Sequence, residues 1–265
     1  MMMSMFARRG YRLLRRIRPA PLQVLLLSLL GLNRRRVIEL EDFRFLADPT
    51  SDFGTRLLQG SYEADLSGLI RNFLGPGQKF LDIGANEGFF SILASRIVGS
   101  TGEIIAIEPQ GRLVPIIQKN LALNDCFNCR VLQIALGESD GEITMHLAPT
   151  TNTGSTSVYK VAKYPVSKEI VRCFSLEHVI ERLGVDEFDL VKVDIEGAEY
   201  GVLLSADELL CSGRIKRIAL ELHRDILENQ GLDPDELHVH LLGCGYFLEV
   251  EGPVQIYTFK DNPAR

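Results

Sequence analysis

The chain has 265 residues, nearly half of them apolar, with no tryptophan and a net charge of −6. That composition leaves room for a sizeable core and excludes a broadly disordered chain. Residues 1–36 carry nine arginines and no acid, so the remaining body sets 20 basic against 35 acidic side chains; an acidic body excludes nucleic acid as the main partner, because phosphate contacts supply most of that affinity.

In the leader, Phe6, Leu13 and Ile17 fall on one helical face and Arg8, Arg9, Arg12, Arg15, Arg16 and Arg18 on the other. The spacing predicts a basic amphipathic helix of the kind that lies on anionic lipid, ended by Pro19 and Pro21. Residues 22–32 are apolar apart from Gln23, Ser28 and Gly31. A bilayer span needs roughly 17–25 apolar residues, so this run is too short. Asn33-Arg34-Arg35-Arg36 stands where a signal peptide would have a small-residue cleavage site. Two readings stay open: peripheral contact with the inner face of a membrane, or a helix packed on the domain. The five cysteines are an odd number and read as reduced thiols of a cytoplasmic protein. Cys126-Phe-Asn-Cys129 has no second CxxC or HxxxH to complete a four-ligand zinc site and is taken as incidental.

Residues 42–54 read as irregular, with Asp48-Pro49 as turn chemistry. Residues 62–73 place Leu66, Leu69, Ile70 and Phe73 on one helical face, and Gly75-Pro76-Gly77 stops them. Residues 37–75 thus form an expected N-terminal helical cap and residues 76–265 the main domain. Strands are then expected at 79–83, 103–108, 130–134, 189–194 and 215–222, with helices at 89–98, 111–123, 175–183 and 199–210. Residues 141–147 read as an extra strand, and the polar stretch 150–157 as a mobile loop. Asp233-Pro234 with Glu236 starts a last helix, and 246–250 and 254–259 form a closing hairpin around Gly252-Pro253. Alternating strands and helices define a Rossmann-like α/β fold: a seven-stranded, mostly parallel sheet with a C-terminal antiparallel hairpin.

The segment Asp82-Ile-Gly84-Ala-Asn86-Glu-Gly88 ends an apolar strand in an acid and opens a helix through a glycine turn. Gly84 permits the turn and Gly88 permits close approach. A dinucleotide fingerprint would put glycine where Asn86 stands, to admit pyrophosphate. An acidic, amide-bearing pocket instead suits a ligand cationic at sulfur and amine. Glu108, ending the second strand, can accept hydrogen bonds from ribose hydroxyls. The combination points to S-adenosylmethionine (SAM). Asp194 and Glu196 end the fourth strand, where ligands of open α/β sheets bind, and Asp194 is the candidate to orient or deprotonate a hydroxyl. The alternative use of both acids is helix capping. His223, after the fifth strand, is the best histidine candidate for a base. A divalent metal bridging Asp194 and Glu196 is compatible with this set but not demanded. Competing classes are an NAD-type oxidoreductase and a non-catalytic membrane-surface protein with a relic core.

An ordered series of short pieces resembles the FkbM family of SAM-dependent methyltransferases: Asp48-Pro49, Gly60-x-Tyr62-Glu63, Asp82-x-Gly84-Ala-Asn86-x-Gly88, Glu108-Pro109, Asn120-x3-Asn124, Ala135-Leu136, Asn152-x-Gly154 and Lys192-x-Asp194-x-Glu196-Gly197. Glu87 departs from the apolar residue more usual there, and the basic leader lies outside the resemblance. The resemblance implies O-methylation of hydroxyls on a small molecule, sugar, glycolipid or secondary metabolite. It also implies that Gly84, Asn86 and Glu108 hold SAM, with Glu63, and that Ala135 lies near the adenine.

Overall fold

The computed structural model describes residues 20–150, 152–157 and 167–260. The basic helix expected over residues 6–18 lies outside them. Helix α1 (Ala20–Leu29) buries Leu27 and leaves Leu22, Leu25, Leu29 and Leu30 exposed. Among the described residues no helix is long and apolar enough to cross a membrane.

The segment expected to open a helical cap and run irregularly from residue 42 instead forms an antiparallel hairpin of β1 (Arg36–Glu39) and β2 (Arg44–Ala47). Its second strand is held from 74 or more residues away by two amides. Asn120, in the helix Val114–Leu123, accepts from Leu46 N at 2.7 Å. Asn124 accepts from Arg44 N at 2.9 Å and donates to Arg44 O at 2.7 Å. Set one helical turn apart, the amides stand in for a neighbouring strand. Helices α2 (Asp52–Leu58), capped by Ser51, and α3 (Ala64–Phe73) follow. Phe45, Phe53, Leu66 and Ile70 pack into one core with Phe80, Ile92 and Ile104 of the main domain.

The leader is tied to that core as well. Arg35 grips Glu87 with both guanidinium nitrogens, at 2.6 and 2.9 Å, and the Glu87 side chain is fully buried. The residue that departs from the apolar norm is thus an ion-pair partner. Removing the arginine strands a buried carboxylate. Because Arg35 is a quarter exposed, we expect Arg35→Ala to cost about 2–3 kcal/mol, toward the low end for such pairs. Adding Glu87→Leu should restore most of the loss. Denaturant midpoints of the two variants check this, and an unchanged midpoint for Arg35→Ala would refute it.

The main sheet comprises β3 (Lys79–Ile83), β4 (Glu103–Ile107), β5 (Cys129–Leu132), β9 (Leu190–Val193), β10 (Arg217–Glu221), β11 (Tyr246–Val250) and β12 (Val254–Phe259). Its order is β11-β12-β10-β9-β3-β4-β5. β3, β4, β5, β9 and β10 run parallel, and β12 runs antiparallel to both β10 and β11. Along β3, Phe80 joins the core on one face while Leu81 and Ile83 join the core on the other. Both faces are covered, so the strands read as continuous apolar runs rather than alternating ones. The chain leaves β3 outward through α4 (Phe89–Val98), β4, α5 (Val114–Leu123) and β5. It then returns to the other side of β3 as β9. Between β3 and β9 lies the topological switch point, where such sheets bind ligands.

A second sheet, in the order β6-β8-β7, is built from β6 (Ala135–Leu136), β7 (Gly141–His146) and β8 (Lys168–Phe174). β8 is absent from the sequence expectation. Helix α6 (Leu176–Leu183) is capped by Ser175, whose hydroxyl accepts from His178 N. The expected helix at 199–210 divides at Ser205–Ala206 into α7 (Glu199–Leu204) and α8 (Asp207–Cys211). Helices α9 (Arg224–Asn229) and α10 (Pro234–Gly243) complete the fold, with Asp233 capping α10.

Candidate active site

The carboxyl ends of β3, β4, β9 and β10 open into a cleft of about 300 Å³. Glu63, Gly84, Asn86, Glu108, Ala135, Asp194, Glu196 and His223 all line it. Of the expected site residues, only Asp82 and Gly88 lie behind its wall. Asp82 is fully buried; it accepts from Ser91 at 2.6 Å and faces Lys192 Nζ at 3.4 Å. It is a strut beneath the site rather than a ligand-facing acid. Gly88 precedes α4 and packs against Ile117.

Lys192 sits beside Asp82 in the β3–β9 register. Its ammonium donates to Gly84 O at 3.1 Å and lies 3.3 Å from Asp194. Burial alone would lower this lysine, but Asp194 and Asp82 hold it above the usual range. The buried cation thus ties together the floor of the glycine turn and the acid that ends β9.

The turn itself is shaped by close contact. Gly84 has φ +82°, and a Cβ there would come within 1.9 Å of the Asp194 carbonyl oxygen. Asn86 also adopts a positive φ, of 51°. Its backbone N–H donates to Glu108 at 2.8 Å, and its side-chain oxygen accepts from Thr153 at 2.9 Å. Glu108 also accepts from Gln110 N at 2.9 Å. Burial pushes the Glu108 carboxyl up to about 7, against the pull of these two amides.

Residues 152–157, read as a mobile loop, form a wall instead. Thr153, Thr156 and Ser157 are buried. Arg112 and Gln110 bind Thr156, and Ser157 donates to Glu196 O at 2.7 Å. Ile143 and Met145 of the small sheet add apolar cover beside Ala135 and Leu136.

At the other end of the cleft, His223 Nδ1 contacts Glu199 at 2.8 Å. Glu199 is fully buried and also accepts from Ile195 N and Gly197 N, both at 2.9 Å. The imidazole is therefore oriented by an acid that itself holds the β9–α7 loop. His223 Nε2 turns toward Glu196 at 3.7 Å and Asp194 at 3.9 Å. Burial opposes its charge, but Glu199, Glu196 and Asp194 raise it to about 9. Burial pushes both Glu196 and Glu221 up to about 7.

Sequence reasoning missed Glu221, Tyr62 and Arg56, which line this cleft, and Glu199, which holds His223 from behind it. For Glu199 the signal was available, three residues past Glu196 and opening a helix. For the others nothing local marked them. A divalent cation would find ligand atoms on Asp194, Glu199 and His223, which lie within 4.8 Å of one another, rather than on Asp194 and Glu196.

These residues fit SAM. Buried Glu108, with unused lone pairs, lies at the end of β4 and could accept from ribose hydroxyls, the glycine leaves room for close approach, and four further carboxyls (Glu63, Asp194, Glu196 and Glu221) line the cleft and would suit a cationic ligand.

The FkbM methyltransferase domain model matches residues 82–248. The chain is 31% identical over 163 residues to methyltransferase sdnD of Sordaria araneosa, covering 50% of this chain and 62% of that protein. It is 24% identical over 187 residues to methyltransferase 1 of Beauveria bassiana, covering 63% and 74%. The chain thus spans less than two thirds of sdnD's length. Among solved structures, precorrin-6y C5,15-methyltransferase of Geobacter metallireducens is 13% identical with a TM-score of 0.44, over 75% of this chain and 90% of that one. Aeropyrum pernix fibrillarin with natively bound SAM is 11% identical with a TM-score of 0.41, over 86% and 84%.

The switch-point cleft and its glycine turn define a Rossmann-like, class I SAM-dependent methyltransferase. Within that class the chain belongs to the FkbM methyltransferase family. The NAD-type and non-catalytic readings are not favoured.

Proposed function

We propose that this enzyme methylates a hydroxyl of a small-molecule, sugar or glycolipid acceptor, with Glu108 at the ribose end of the cleft and His223 at the acceptor end. The observation that carries this reading is the Glu199–His223 pair beside Asp194, an oriented imidazole among acids at the end of β9 and β10. In the sheet order, Glu108 and His223 belong to strands three spacings apart, roughly 14 Å, a span suited to a nucleoside and the group it carries. SAM supplies an already activated sulfonium methyl, so positioning provides much of the rate. Asp194 orients the acceptor hydroxyl. His223 takes its proton at Nε2, with Glu199 fixing the opposite ring nitrogen. The direct test is product mass spectrometry with candidate hydroxyl acceptors, comparing wild type with His223→Asn. Methylated product formed equally by both would remove His223 from the chemistry.

Glu108 should control the cofactor. We expect Glu108→Gln to weaken SAM by about 1.5–3 kcal/mol, at least tenfold, the value of a charge-assisted hydrogen bond. Because Glu108, Glu196 and Glu221 are each held near 7, a cationic ligand should bind more tightly as pH rises through that value and they ionise. Calorimetry on either side of neutrality checks both. A Glu108→Gln variant with wild-type affinity would reassign Glu108 to bracing the turn.

The leader is the remaining part of the proposal. In the sequence, the exposed leucines at 22–30 lie between six arginines at 8–18 and three at 34–36, an apolar strip with basic flanks that suits an anionic membrane and a lipid-linked acceptor. Liposome co-sedimentation should show salt-sensitive binding that is lost when the chain begins at Asn33, a boundary that keeps the Arg35–Glu87 pair. Equal pelleting of both chains would point to a soluble acceptor.

A further inference from the structure

On the sheet edge opposite the cleft, two helices each present a pair of metal-binding side chains one turn apart. Asp207 and Cys211 open and close α8, and His240 and Cys244 lie at the end of α10. Neither pair has the CxxC or HxxxH spacing that a sequence search seeks, and the pairs meet only because α8 packs by the end of α10. Both cysteines are free thiols; Cys244 is buried and Cys211 half-buried. Asp207 Oδ1 lies 3.8 Å from Cys211 Sγ and 3.6 Å from Cys244 Sγ. His240 Nε2 lies 3.9 Å from Cys244 Sγ and 3.9 Å from Asp207 Oδ1. The two sulfurs are 2.7 Å apart.

We propose that Asp207, Cys211, His240 and Cys244 form a structural zinc site. Bond lengths of about 2.0–2.3 Å around tetrahedral zinc put neighbouring ligand atoms roughly 3.3–3.8 Å apart. The Asp207 and His240 contacts already lie near those edges. Two edges must adjust. The sulfur pair is tighter and would open by about 1 Å around the ion. His240 falls outside the set of Asp207, Cys211 and Cys244 whose ligand atoms all lie within 4.8 Å of one another, so Cys211 must also swing toward the imidazole. Rotation of its half-exposed side chain can supply both movements. Two thiolates with an imidazole and a carboxylate are a borderline-soft set that favours zinc over calcium or magnesium. Binding would release the thiol protons, so affinity should rise with pH. The site would clamp α8 to the turn entering β11. Tyr246, two residues after Cys244, donates to Ile215 O at 2.8 Å just before β10, so the clamp braces the strand starts and leaves SAM affinity unchanged.

The test is cobalt(II) titration of the reduced, chelator-treated full chain. We expect thiolate-to-cobalt charge transfer with tetrahedral visible bands, bleached by one equivalent of zinc. Cys211→Ser should weaken binding by more than about a hundredfold and lose most of the charge transfer. His240→Ala should weaken binding but keep the sulfur band, and Cys126→Ser should behave as wild type. The Asp194–Glu199–His223 group holds no sulfur and cannot give that band. Far-ultraviolet circular dichroism confirms that each variant is folded, and Asp207→Asn serves if a cysteine variant is not. No charge-transfer band in reduced wild type, two cysteines found joined as a disulfide that excludes cobalt, or a band that persists in Cys211→Ser would each overturn the site.

Discussion

Gly84→Ala should cripple both stability and SAM binding. The Cβ would lie 1.9 Å from the Asp194 carbonyl oxygen, and φ at this position is +82°. The left-handed conformation costs an L-residue roughly 1–2 kcal/mol. Overpacking against backbone, which cannot rotate away, adds about 1–3 kcal/mol. A total of about 2–5 kcal/mol is a large share of the roughly 5–15 kcal/mol by which domains are stable. For a chain of this size it corresponds to a fall in Tm of roughly 10 °C. The function loss has a separate cause. Relieving the clash must part the glycine turn from the end of β9, and that moves Asp194 away from the cofactor wall. Gly184→Ala is the control: it also sits in the left-handed region, with φ +64° and ψ 27°, but no atom lies within 4 Å of its Cβ. It should lose only the conformational share and keep SAM affinity. An alanine at position 84 that melts and binds like wild type would refute the close approach.

The glycine turn was legible because a short-range pattern determines it. β3 and α4 fall where the apolar run and the glycines put them, at Lys79–Ile83 and Phe89–Val98. The closing hairpin, likewise, is set by two apolar runs about Gly252-Pro253. What escaped was non-local. The β1–β2 hairpin takes backbone partners from Asn120 and Asn124, so no window around residues 36–47 announces it. β8 alternates in burial but not in residue type, since Ile170 is exposed while Glu169 turns inward to accept from Gly111 N, and it is fixed by antiparallel pairing with β7. The helix at 199–210 breaks at Ser205–Ala206 without glycine or proline. The site shows the same division. Acids at strand ends were visible as candidates, yet position in the strand could not separate Glu108, which lines the cleft, from Asp82, which turns under it to meet Lys192. Sequence places a residue on an edge; only the packing of Lys192 and Ser91 decides which way Asp82 points.

The second large effect concerns proton transfer. With His223 held at about 9, nearly all of it is imidazolium at neutral pH, and only the neutral form can accept a hydroxyl proton. Measured with SAM as the varied substrate, kcat/KM reports the free enzyme, so it should climb about tenfold per pH unit between about 7 and 9, more steeply below 7 where the cleft carboxyls protonate, and level off above 9. SAM brings positive charge to the cleft, which disfavours a second cation nearby. The limb in kcat should therefore lie at lower pH than the limb in kcat/KM. Glu199→Gln removes the largest contribution that raises His223 and frees the amides of Ile195 and Gly197 from a carboxylate. Its limb should move toward the ordinary 6.5, and its plateau should fall by about a hundredfold or more, as when the orienting acid of a comparable pair is made an amide. Stability should respond with the opposite sense of pH. A folded-state value above the unfolded one means that the charged histidine stabilises the protein fully below about 6.5 and ceases to do so as pH rises through about 9. The wild type should thus lose stability across that window while gaining activity, and Glu199→Gln should flatten both trends. If Asp194 is the sole base, kcat/KM will show no limb near 9, and Glu199→Gln will lower the rate without moving the profile; that result would make His223 a positioning residue for the β9–α7 loop.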